Sequence, residues 1–145
     1  MSGTMEARAA IRDVDIDTET LVLLAQQEYA SRRSREHCFA ANIFAEPAWD
    51  MLLDLFVQHH RGRPVSIHSL CIAAAVPATT ALRWIGKLDD CGLVARERSA
   101  RDNRVIHVAL TACGLAAMER YLGGRARPTA RTSDFCRRVV SESSV

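Results

Sequence analysis

Residues 66–111 read SIHSLCIAAAVPATTALRWIGKLDDCGLVARERSARDNRVIHVALT, and this stretch decides the fold. Ser66 is placed to cap a short helix over Ile67 to Ala74, because a serine oxygen can accept from a backbone N–H of the first turn. After Ala75-Val76, Pro77 opens a second helix that runs to about Cys91. Within it Ala81, Trp84, Ile85 and Leu88 recur at helical spacing and face inward. Ala78, Thr79, Leu82, Arg83 and Gly86 are left on the outward face. Gly92 ends this helix, and a hairpin follows. Its first strand spans Leu93 to Arg98, its tip Ser99 to Asn103, and its return strand Val105 to Leu110. The return strand alternates, with Ile106, Val108 and Leu110 on one face and Val105, His107 and Ala109 on the other. Thr111 is placed to cap a further helix.

Working outward, Glu46-Pro47 marks the start of an earlier helix. Trp49, Leu52, Leu53 and Phe56 form its apolar stripe, which Ala48, Met51 and Leu55 widen. Asp50, Asp54 and Gln58 read as its polar edge, so this is the expected central buried helix. Arg61-Gly62-Arg63-Pro64 ends it. A still earlier helix is expected from Thr18 to about Ala41, with Leu21, Leu24, Ala25, Glu28 and Tyr29 at helical spacing. Its second half is polar, and Arg32-Arg33-Arg35 reads as a solvated face. After the hairpin, Leu115, Met118 and Leu122 share the face of a last helix that Gly123-Gly124 is expected to stop. The expected organisation is a flexible tail over 1–16, one domain over 17–124 with its core at 47–122, and a basic tail over 125–145. Phe135 to Val140 is expected to add a short helical turn or two to that tail.

A chain of 145 residues with 48 % apolar content suits one compact domain. Its net charge of +2 hides an asymmetry. Residues 1–60 carry 5 basic and 10 acidic side chains, whereas residues 61–145 carry 14 basic and 7 acidic ones. The basic half suits a polyanionic partner. No stretch approaches the roughly 18 apolar residues of a membrane span, and no early segment resembles a signal peptide, so a cytoplasmic protein without membrane contact is expected. The five cysteines form no CxxC pair and read as reduced thiols. Cys38 is the candidate redox thiol, since Arg32, Arg33, Arg35 and His37 surround it in sequence. His59, His60 and His68 lack partners at ligand spacing, so no metal and no cofactor is expected. The absence of a glycine-rich phosphate loop or a nucleophile elbow argues against an enzyme.

Helix, turn, helix and hairpin in that order make a winged helix-turn-helix, mainly α with a two-stranded β-wing and flanking helices. A helix of this kind fits the DNA major groove, where each base pair shows a distinct donor and acceptor pattern. Arg83 could fork onto guanine, Thr79 and Thr80 could reach a base edge or phosphate, and Leu82 suits a thymine methyl. Small Ala78 permits close approach. Around the hairpin tip, Arg96, Arg98, Arg101 and Arg104 face only Glu97 and Asp102 as opposing charges, and Asn103 completes the tip. An arginine there can enter a narrow minor groove. Ser66 is the expected phosphate contact at a helix N-terminus.

Over Pro47 to Leu122 the sequence resembles the MarR-type transcriptional regulators. Three motifs carry the resemblance: Leu88-Asp89-Asp90-Cys91-Gly92-Leu93-Val94, Asp102-Asn103-Arg104, and Leu110-Thr111-Ala112-Cys113-Gly114. The resemblance implies a homodimer on a pseudo-palindromic operator of double-stranded DNA, with Arg104 in the minor groove and Asp102 holding wing arginines. Two departures stand out. Ala75 occupies a turn position where the family often has glycine, and Gly123-Gly124 would shorten the last helix, so that dimerisation through the terminal helices depends more on the helix from Thr18 to Ala41. Residues defining a small-molecule effector pocket are not recognisable. Two other readings remain open at this point: a winged-helix module that binds proteins, and a thiol-based redox-responsive repressor.

Overall fold

The structure is a computed structural model that describes residues 16–39 and 45–126. The tail expected over 1–16, almost entirely, and the helical turns expected within Phe135 to Val140 lie outside the described residues. In chain order the elements are α1 (Thr18–Cys38), α2 (Pro47–His60), β1 (Val65–Ser66), α3 (Ile67–Ala74), α4 (Ala78–Asp90), β2 (Val94–Arg98), β3 (Ile106–Leu110) and α5 (Ala112–Ala126). The mainly helical fold with a β-wing is therefore the one the pattern predicts. Among the described residues no single helix is long and apolar enough to cross a membrane.

Local chemistry fixes most boundaries. Asp17 caps α1, Pro47 opens α2, and Gly62 takes φ +66 in the turn after it. Gly92 takes φ +73 after α4, the left-handed region where a side chain is strained. Thr111 ties the hairpin to α5. Its hydroxyl donates to the Gly92 carbonyl at 2.6 Å and accepts from the Gly114 N–H at 3.0 Å. A Cβ on Gly114 would collide with the Leu93 carbonyl, so the Leu110-to-Gly114 motif has a steric reason as well as a capping one.

One buried cluster joins Met51 and Leu55 of α2 to Leu70, Ala81, Ile85, Leu88, Val94 and Val108 of the helix pair and wing. A second joins Leu53, Phe56 and Val57 of α2 to Leu21 and Ala25 of α1 and to Met118 and Leu122 of α5. Because α2 feeds both clusters, it is the central helix that its wide apolar stripe predicts. Trp49, expected in that stripe, is half-buried and meets Tyr121 edge-on at 5.0 Å.

The structure adds one strand to the two of the wing and corrects three expectations. The sheet has three strands in the order β1-β3-β2, because Val65 and Ser66 pair antiparallel with Val108 and His107. Two residues beside a proline are too short for alternation to reveal a strand. Asp50 is not at a polar edge but fully buried. Arg32 Nε and Arg33 Nη2 each donate to one of its oxygens at 2.6 Å, and Arg32 also reaches Glu46 at 2.9 Å. Arg32, read as part of a solvated face, is itself buried. Finally, α5 passes through Gly123-Gly124 to Ala126. Packing of Met118 and Leu122 and an Arg125–Glu28 ion pair at 2.6 Å hold the last turn to α1, against a glycine cost of about 1 kcal/mol per residue.

Candidate nucleic-acid interface

The helix pair α3–α4 bends by 107° across Ala75-Val76-Pro77, within the usual range for a helix-turn-helix. Ser66 caps α3, its hydroxyl accepting from the Ser69 N–H at 3.1 Å and lying 3.1 Å from the Ser69 hydroxyl. That oxygen is thus engaged in the cap, and the α3 N-terminus rather than a free Ser66 hydroxyl is what faces outward. At the other end of α3, Ala75 adopts φ 53, ψ 38, the left-handed conformation that the glycine-favouring turn position requires.

Helix α4 buries Ala81, Ile85 and Leu88. Trp84 is half-buried, with the Lys87 ammonium over its ring at 4.3 Å. The opposite face exposes Ala78, Thr79, Leu82 and Arg83, while Thr80 is half-buried at its border. Leu82, a large apolar residue, stays 48 % exposed. The stripe in the sequence therefore sorts Ala81, Ile85 and Leu88 from Ala78, Thr79, Leu82 and Arg83, whereas Trp84, expected inward, and Gly86, expected outward, are both half-buried.

The wing is fastened to α4 by an ion pair that the sequence reading did not foresee. The Arg96 guanidinium donates to Asp89 at 3.0 Å, tying β2 to the last turn of α4. The i-to-i+7 spacing across Gly92 was the available signal, but it becomes meaningful only once the hairpin is known to fold back. At the tip, Asp102 accepts from the Arg104 backbone N–H at 3.0 Å, and its carbonyl accepts from the Val105 N–H at 3.0 Å. Asp102 thus shapes the turn through the main chain rather than through a guanidinium. Arg98, Arg101, Asn103 and Arg104 are all exposed. Among the described residues no ion pair engages Arg83, Arg98, Arg101 or Arg104.

Cys38 is exposed at the end of α1. Two of the cations counted beside it in sequence, Arg32 and Arg33, are committed to Asp50 instead. Among the described residues no group of three or more His, Cys, Asp or Glu side chains could hold a metal ion.

Comparison with known proteins points to the same architecture. Residues 49–114 match the family model of the winged helix DNA-binding domain. No curated protein matches the chain in sequence. Among solved structures, the Staphylococcus aureus MepR–DNA complex is similar at 16 % identity and a TM-score of 0.50, covering 82 % of this chain and 94 % of that one. A mutant MarR from Escherichia coli is 18 % identical over 88 % of this chain and 96 % of its own, with a TM-score of 0.46. A probable transcriptional regulator from Pseudomonas aeruginosa is 22 % identical over 81 % and 89 %, with a TM-score of 0.43. At 16 % identity the likeness to MepR concerns the fold alone. Residues 49–114 are thus similar to winged helix DNA-binding domains, and the fold is similar to that of MepR.

Proposed function

We propose that this protein is a transcriptional regulator of the MarR type that binds double-stranded DNA in a sequence-specific way, as a homodimer on a pseudo-palindromic operator. One observation carries the reading: α4 presents a small, arginine-bearing face, and Asp89–Arg96 anchors an arginine-tipped wing to the same helix. Thr79, Thr80 and Arg83 enter the major groove, with Ala78 allowing close approach and Leu82 against thymine methyls. Arg101 and Arg104 reach the minor groove from a tip shaped by Asp102 and Asn103. The α3 N-terminus capped by Ser66 meets a phosphate. Exposed Leu23 on α1 and Tyr121 on α5 support association through the terminal helices.

The test is a gel-shift series over salt on duplex fragments selected from genomic DNA. If a dimer neutralises about 8 phosphates, log affinity falls with log salt with a slope of about −7. A slope near zero, or no preference for selected over random duplex, overturns the reading and leaves a protein-binding winged helix as the better account.

A further inference from the structure

Near its end, helix α3 carries a carbonyl that its own helix cannot satisfy. In a continuing helix the Ala73 C=O would accept from the N–H four residues on, but that residue is Pro77, which has none. A hydroxyl from elsewhere fills the gap: Tyr29 of α1, 44 residues away, donates to the Ala73 carbonyl at 2.8 Å. The next residues are the strained Ala75 and the turn into α4, so this bond sits where the direction of the outward-facing helix is set.

The tyrosine is itself held. The Arg33 guanidinium lies over its ring at 5.3 Å and donates onward to buried Asp50 of α2 at 2.6 Å. Asp50 also takes Arg32 from the preceding position of α1. The ring is therefore braced by a buried ion-pair cluster, and its hydroxyl cannot swing away without disturbing a cation stacked on it. Burial also pushes the Tyr29 phenol above its ordinary range, so the proton needed for donation stays in place at neutral pH.

We propose that Tyr29 is a positioning residue for DNA reading, its hydroxyl capping the C-terminus of α3 and thereby fixing α4 relative to α1. This rests on the DNA-binding function proposed above. If α1 is also the dimerisation helix, the same bond sets how each recognition helix stands relative to the dimer axis.

Tyr29→Phe keeps the ring and its cation while deleting the donor. A net hydrogen bond is worth roughly a factor of 2 to 12 in an equilibrium constant, and only part of that reaches the DNA-reading helix, so affinity for selected duplex should fall about two- to fivefold. The salt slope should stay unchanged, because no phosphate contact is removed. Hydrogen exchange should quicken at the Ala75 and Val76 amides. Phe56→Leu, a substitution in the core cluster on the α1 and α5 side of α2, serves as the stability control and should leave affinity unchanged at temperatures where both variants are folded. Unchanged affinity of Tyr29→Phe overturns the positioning role whatever the exchange shows, as does an equal loss in Phe56→Leu. Absence of any duplex binding by the unaltered protein overturns the DNA-reading function itself, and the positioning role with it.

Discussion

Arginine has opposite environments at the two ends of this molecule. In α1, Arg32 and Arg33 each place a nitrogen 2.6 Å from a carboxylate oxygen that is wholly out of solvent. In the wing, Arg98, Arg101 and Arg104 stand exposed, and only Arg96 is tied down, to Asp89. The difference lies in the facing element rather than in the arginines. Helix α2 offers Asp50 beneath α1, with Glu46 at its N-cap one turn earlier, whereas the tip carboxylate of Asp102 is committed to its own backbone turn. Buried arginines of the first kind fix how helices pack; exposed ones of the second kind remain available to a polyanion.

The sharpest way to break this contrast is to remove the shared partner. Asp50→Ala leaves the buried Arg32 guanidinium without its inner carboxylate, and loss of one side of a buried pair costs about 3–5 kcal/mol. Denaturant unfolding should register that loss. Arg104→Ala under the same assay should move stability by no more than about 0.5 kcal/mol, as for exposed sites generally. Equal losses in the two variants would show that burial does not separate these arginines.

Next in size is an effect on binding rather than folding. Arg83→Ala should weaken operator binding by about 1–3 kcal/mol and relax the base preference at one position of each half-site. The check is a binding series over single-base operator variants. If the weakening is instead uniform across all sequences and the salt slope becomes shallower, Arg83 contacts phosphate and the base readout lies with Thr79 and Thr80.

The same contrast explains what could be read from sequence. The helix pair and hairpin were legible because each boundary has a residue with its own physical signature: Ser66, Pro77, Gly92 and Thr111. The outward face of α4 was legible because Ala81, Ile85 and Leu88 mark the inward one. Asp50 was not, since a pattern counts polarity along one helix and cannot see two guanidiniums arriving from a helix earlier in the chain. For the same reason Tyr29 read only as one more member of an apolar stripe, and Asp89 only as a motif residue. The passage of α5 through Gly123-Gly124 depends on Glu28 of α1 meeting Arg125, a tertiary contact that overrides local propensity.

A smaller effect sharpens the comparison at the turn between the two regions. Ala75 occupies the left-handed conformation with a Cβ that disfavours it, so Ala75→Gly should stabilise the fold by about 0.5–1 kcal/mol, after the greater chain entropy of glycine is counted. Unfolding midpoints measure this. A decrease in stability would mean that the turn tolerates alanine without strain.

The smallest change expected concerns Asp54, one helical turn beyond Asp50 on α2. The two carboxylates differ in what meets them: Asp50 receives two guanidiniums, whereas Asp54 accepts from the Gln58 amide at 3.4 Å. Burial raises the Asp54 pKa above its ordinary value, with the Gln58 hydrogen bond opposing the shift. A carboxyl whose folded pKa is raised binds its proton more tightly in the native state. Its contribution is therefore most favourable below the unfolded value of about 3.9, and is lost as pH rises through the folded value. Asp54→Asn removes the charge while keeping the shape, so the variant should gain stability relative to the parent as pH rises from about 4 towards neutrality. The gain should be small, because Asp54 retains solvent contact. Parallel stability–pH curves for the two proteins would place Asp54 with Asp50 among the compensated carboxylates, and would mean that the interface between α1 and α2 tolerates an acid without a guanidinium beside it.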